Sequence, residues 1–149
     1  MRTSTVSSAG GASPTRVIII DDHEITRAAY TALLRAEGID VIAELGASGQ
    51  ALTAARTHRP DVAIIDVTPA ADTGFGIADR LRALPIPPIV ILTSSTNCTR
   101  FGARLDGHLF IAKADICAAA IAPLARAPEV GGSESPDPGT PANRPQPTR

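Results

Sequence analysis

The run Val17-Ile18-Ile19-Ile20 leads straight into Asp21-Asp22. Four β-branched aliphatic residues in a row offer no polar face, so Arg16–Asp21 reads as a strand buried on both sides. A strand of that kind needs a sheet covered by helices above and below. The pattern recurs along the chain. Val62–Asp66 is a second apolar run ending in acid, and Pro88–Thr93 a third, with its proline at the start where a missing N–H is tolerated. Ile39–Leu45 and His108–Ala112 complete five strand-like segments.

Helical patterns separate them. Glu24–Glu37 carries Ile25, Ala28, Ala29, Leu33 and Ala36 on one stripe, with Gly38 as its stop. Ser48–His58 follows, with Ser48 as an N-cap and Pro60 just beyond. Gly76–Leu84 ends before Pro85, Asn97–Leu105 is short, and Asp115–Arg126 contains the disruptive Pro123. Five β-then-α units predict an α/β fold with a parallel sheet between two helical layers. In such folds ligands bind beyond the carboxyl ends of the strands.

Those ends hold Asp21-Asp22, Asp66, Thr93-Ser94 and Lys113, the only lysine in the chain. Clustered carboxylates repel one another unless a cation neutralises them. Mg²⁺ suits them, since it takes one or two carboxylates, water and substrate phosphate oxygens. A carboxylate beside Mg²⁺ can act as a nucleophile toward a phosphoryl group, with an ammonium and a hydroxyl holding the phosphoryl oxygens. No GxxxxGK[ST] loop occurs, which excludes a P-loop nucleotidase. The net charge of −1 argues against nucleic-acid binding by bulk charge, and one lysine argues against a polybasic membrane patch. The longest apolar run is far too short for a bilayer, so no membrane insertion is expected. Aromatics are 3%, so the core must be aliphatic. Cys98 and Cys117 read as buried or half-buried free thiols of a reducing cytoplasm.

Val17–Asp22, Asp66, Thr93 and Lys113, at these spacings, resemble the receiver domain of bacterial two-component response regulators. The Asp21-Asp22-His23 start and the Lys113-Ala114-Asp115 run are most similar to receivers of LuxR-type regulators. The resemblance covers residues 16–126 and implies a flavodoxin-like (βα)5 three-layer sandwich with sheet order 2-1-3-4-5. It implies that Asp66 accepts phosphate from a sensor histidine kinase. Asp22, Asp66 and the Thr68 carbonyl would hold Mg²⁺, and Asp21 would position the ion through water. Thr93 would be the switch hydroxyl, next to Ser94, with Lys113 pairing with the acceptor or its phosphate. Phe110 takes the position of the family's rotating aromatic, and Gly74 that of its loop glycine. The family's Met-Pro three and four residues after the acceptor is here Pro69-Ala70, and Thr93 to Lys113 is about two residues short.

Residues 1–15 and the Pro-rich stretch 127–149, with six Pro and three Gly, are expected to be disordered. That composition cannot supply a helix-turn-helix. The expectation is therefore a stand-alone cytoplasmic receiver, not an enzyme, without direct nucleic-acid contact, whose output passes through a downstream protein partner. The alternative is a receiver-like interaction module that works without phosphorylation. Haloacid-dehalogenase phosphatases also use an aspartate after a strand, but their second Asp falls where this chain has Thr68.

Overall fold

The computed structural model describes residues 13–46 and 48–126. The expectations for 1–12 and 127–149 lie outside the described residues. The chain runs β1 (Arg16–Ile20), α1 (Glu24–Ala36), β2 (Asp40–Leu45), α2 (Ala51–His58), β3 (Val62–Asp66), α3 (Thr73–Arg82), β4 (Ile89–Ser94), β5 (Leu109–Ala112) and α4 (Ala118–Ala125). The five strands form one parallel sheet in the order β2-β1-β3-β4-β5. This is the expected flavodoxin-like arrangement.

Strand alternation splits the core into two layers. Ile18, Ile20, Ala63, Ile65, Val90 and Leu92 face α2 and α3, where Ala51, Ala55, Phe75, Ala78 and Leu81 meet them. Val17, Ile19, Val62, Ile64 and Ile91 face the other way, onto Leu34 of α1 and Ile121 of α4. Each fully buried Val, Leu or Ile contributes about 1.5–3 kcal/mol. Thr15, from the N-terminal stretch, is also buried, and its carbonyl accepts from the Asp40 N–H at 2.9 Å.

Several expectations are corrected. The apolar stripe of α1 faces solvent: Ile25 is 88% exposed, and Ala28, Ala29, Leu33 and Ala36 are exposed with it. The inward face carries Arg27, Tyr30, Thr31 and Leu34. Polar bonds turn the helix. Arg27 Nη1 donates to the Asp21 carbonyl at 2.6 Å, and the Tyr30 hydroxyl donates to the Lys113 carbonyl at 3.3 Å. Ser48 opens a 3-10 turn and does not cap α2, which starts at Ala51. The third helix starts at Thr73, three residues before the expected Gly76.

The expected fourth helix, Asn97–Leu105, is instead two 3-10 turns, Cys98–Arg100 and Gly102–Leu105. Asn97 turns its side-chain oxygen onto the Thr99 N–H, and Gly102 sits at φ +54°, which breaks α geometry between the turns. Cys98 in this segment is exposed, against expectation, while Cys117 is half-buried. The last helix begins at Ala118 because Lys113–Asp115 forms another 3-10 turn, and it contains Pro123.

Gly74, in the first turn of α3, presses against the end of β3. A Cβ there would lie 2.6 Å from Val67 Cγ1 and 3.0 Å from the Asp66 carbonyl oxygen. Val67 is buried and the carbonyl belongs to the backbone, so neither can give way. Gly74→Ala is expected to destabilise the protein by about 1–3 kcal/mol, the scale of overpacking, measured as a lower urea midpoint with unchanged slope.

Candidate functional site

The carboxyl ends of β1, β3 and β5 converge on one side-chain cluster. Lys113 Nζ lies 3.0 Å from Asp21 Oδ2 and 3.0 Å from Asp66 Oδ1. All three side chains are largely buried, whereas Asp22 is 75% exposed at the mouth. Asp21 is fixed from its other oxygen, which accepts the His23 N–H at 2.8 Å. His23 Nδ1 sits 2.9 Å from Asp22 Oδ1. His23 is exposed, yet its ring lies near both acids.

A cavity of about 330 Å³ opens over the acids, lined also by Thr68, Gly46 and Gly74. Asp21, Asp22, His23 and Asp66 each offer a ligand atom, and these atoms lie within 4.8 Å of one another. Hard oxygen donors at this density suit a hard divalent cation. Lys113 supplies one positive charge against three carboxylates, so negative charge remains for a cation. The donor set therefore fits Mg²⁺. The Thr68 carbonyl accepts a long 3.3 Å bond from the Ala71 N–H and keeps a second lone pair.

Thr93 stands beside Asp66 in the β3–β4 register, and its carbonyl accepts the Val67 N–H at 2.8 Å. Its hydroxyl is buried and has no hydrogen-bond partner among the described residues. Such orphaned polar atoms are costly and uncommon. Ser94 instead accepts from the Thr96 N–H through its hydroxyl at 3.0 Å. Ser94, Phe110 and Lys113 border a second cavity of about 540 Å³. The Phe110 ring is half-buried and tilts against Phe101 with centroids 6.0 Å apart. Phe101 in turn meets Phe75 at 6.0 Å, and His108 stands edge-on to Phe75.

Chemically, this is a buried carboxylate facing a polar cavity, with an ammonium at hand. Comparison with known proteins agrees. The family model of the response regulator receiver domain matches residues 17–114, more than half of the chain. The chain belongs to the response regulator receiver domain family. The transcriptional regulatory protein PdtaR of Mycobacterium tuberculosis is 34% identical over 92 residues, 62% of this chain and 45% of that protein. The DNA-binding transcriptional activator EvgA of Escherichia coli is 36% identical over 85 residues, 57% of this chain and 42% of that protein. The chain thus spans under half the length of these relatives. The signal receiver domain of a NarL response regulator from Mycobacterium tuberculosis superposes with a TM-score of 0.63 at 25% identity, covering 76% of this chain and 98% of that one. A LuxR-family regulator from Aurantimonas shares the fold, with a TM-score of 0.63 at 24% identity, covering 76% of this chain and 86% of that one.

Burial pushes the Asp66 carboxyl above the usual carboxylate range; the Lys113 hydrogen bond opposes this, and Asp21 and Asp22 add to it. Burial alone would lower Lys113, but its bonds to Asp66 and Asp21 outweigh that and raise it. Two residues that sequence reasoning missed frame the site, Arg27 beneath Asp21 and Tyr30 beneath Lys113. Their spacing with Thr31 and Leu34 is helical, but as polar residues they gave no apolar signal.

A carboxyl whose folded pKa is raised contributes stability that is present below its unfolded value and lost as pH rises through the folded one. Ionised Asp66 therefore works against folding at neutral pH when no cation is bound. In chelator at pH 7, Asp66→Asn should stabilise the protein by about 1 kcal/mol, and the gain should shrink toward pH ~4, where the unfolded carboxyl protonates. Lys113→Met should do the opposite, destabilising by about 3 kcal/mol because two buried carboxylates lose their shared partner. Thermal melts across pH 4–8 measure both.

Proposed function

We propose that this chain works as a phosphoryl-accepting receiver in a two-component relay, with Asp66 as the acceptor. The observation that carries the reading is the Asp66 carboxylate held 3.0 Å from Lys113 Nζ and open to the acid-lined cavity. An Asp66 oxygen attacks the phosphorus of a donor phosphohistidine; the O–P bond forms as the N–P bond breaks, and the imidazole leaves. Bound Mg²⁺ would neutralise charge on the acids and on the phosphoryl oxygens. Asp22, Asp66 and the Thr68 carbonyl are the residues that would hold it, with Asp21 acting through water. Lys113 then pairs with the new phosphoryl oxygens, and the unpartnered Thr93 hydroxyl gains an acceptor. Ser94 is small enough to leave that approach open. As Thr93 turns inward, Phe110 follows, carrying the change to the β4–β5 face.

The donor is a sensor histidine kinase. The open apolar stripe of α1, which starts directly after Asp22-His23, is the surface we assign to it. The described residues form the receiver unit only, so we read their output as passing through protein contacts and not through DNA. No described helix is long and apolar enough to cross a membrane; a cytoplasmic location fits this reading. The Cys98–Leu105 turns in place of a helix favour one competing reading, a module fixed in one state and independent of phosphate.

Acetyl phosphate with Mg²⁺ should add one phosphoryl mass to the intact protein, and Asp66→Asn should abolish it. Labelling that persists in Asp66→Asn would move the acceptor elsewhere, and no labelling of the wild type would favour the fixed module. Ile25→Asp should slow phosphotransfer from a labelling histidine kinase by about tenfold, a 1.4 kcal/mol effect, yet leave acetyl-phosphate labelling unchanged. Quench-flow gels with both donors make the comparison.

A further inference from the structure

Arg104 lies 33 residues after Ala71 of the loop that follows Asp66, in the second 3-10 turn behind β4, yet its guanidinium closes on that loop. Nη1 donates to the Pro69 carbonyl at 2.8 Å, and Nη2 donates to the Ala71 carbonyl at 3.1 Å and pairs with the Asp72 carboxylate. The guanidinium carbon sits 4.3 Å above the Phe75 ring. Three loop oxygens and one ring thus engage one planar fork, the geometry that arginine alone can satisfy. The loop's own backbone bonds are few. Val67 donates to Thr93, Ala71 makes the long bond to Thr68, and Gly76 donates to Asp72. The loop also supplies Val67, Thr68 and Ala71 to the wall of the acidic cavity.

We propose that Arg104 is a positioning residue for the phosphoacceptor loop. It holds residues 67–72 so that the Thr68 backbone faces the acids, and it does so from a segment that has given up its α-helix. Two observations fit this role together. The 3-10 geometry of Gly102–Leu105 brings Arg104 to the loop, and Phe101, one residue before that turn, packs on Phe75 beneath the guanidinium. The same contacts link the loop to the aromatic series Phe75–Phe101–Phe110, so loop position and the β5 face are mechanically joined. The inference rests on the phosphoacceptor reading and deepens it.

The test compares wild type, Arg104→Ala and Arg104→Lys in the full chain. Folding is checked by circular dichroism, loop protection by hydrogen exchange of peptides spanning 67–76, and function by acetyl-phosphate labelling over a Mg²⁺ titration. Arg104→Ala should stay folded, lose protection in the loop, and label about tenfold more slowly, with half-saturation shifted to higher Mg²⁺. Arg104→Lys should behave like Arg104→Ala, since a point charge can meet Asp72 but cannot fork onto two carbonyls. It also carries the test if Arg104→Ala fails to fold. Unchanged loop exchange would overturn the inference. So would faster exchange with unchanged labelling and Mg²⁺ dependence, which would leave only a structural clasp. Full rescue by lysine would overturn the fork and leave charge alone. A wild-type chain that exchanges normally but never labels would instead overturn the phosphoacceptor reading, and the positioning role with it.

Discussion

The single lysine shared by two buried carboxylates sets the terms for the carboxyl end of this sheet. Leaving a buried charge unpaired costs several kcal/mol, a large share of a domain's net stability, and Lys113 spares Asp21 and Asp66 that cost by standing between them. Lys113 reaches them from β5, although β4 lies between β5 and β3. Two strand spacings amount to roughly 10 Å, which calls for a long stem above small neighbours. Thr93 and Ser94 at the end of β4 are those neighbours. Tyr30 then fixes the Lys113 backbone from below, and Arg27 does the same for Asp21. The orientation of α1 follows from these two anchors more than from its hydrophobicity.

That explains which parts of the structure could be read from sequence. Strands buried on both faces are recorded residue by residue, because every position in Val17–Ile20 or Val62–Ile65 must be apolar. Sites at strand ends follow from the same record, so Asp21, Asp66, Thr93 and Lys113 were visible as soon as the strands were. The rotation of α1 was not. Its apolar stripe at Ile25, Ala28, Ala29, Leu33 and Ala36 is genuine, yet it faces outward, since the inward face is bound by polar side chains whose partners lie elsewhere in the chain. Periodicity finds a face and carries no sign for which side it meets.

The Asn97–Leu105 segment departs from its helical expectation for a related reason. Its composition permits a short helix, and only Gly102 and the Asn97 side chain mark the local departure. The long-range partner of Arg104 leaves no local trace at all. A residue acting through a carbonyl 33 positions away is written into the fold and not into any window of sequence. The three phenylalanines were likewise legible only as a scarcity; that they form one connected series beside the site required coordinates.

Several local deficits meet at the carboxyl end of the sheet. Asp66 is held above its ordinary pKa, Thr93 has a buried hydroxyl without a partner, and Asp22 projects at the mouth beside two further acids. At the opposite end of the sheet Arg16 is satisfied internally, its N–H donating to Asp61 at 2.8 Å and its guanidinium to the Arg59 carbonyl at 3.0 Å, while His108 Nδ1 is buried there without a partner among the described residues. Each unmet polar demand lowers stability, and folding alone gives no reason for those that share the acidic edge. A ligand that brings positive charge to the carboxylates and acceptor oxygens to Thr93 would meet all of these demands at once. The same edge is where Arg104 and Phe101 tie the loop to the β4–β5 side, so a ligand that met these demands would act on a loop already joined to that side. A switch needs a free-energy difference between two states, and instability of this kind in the resting site would supply one.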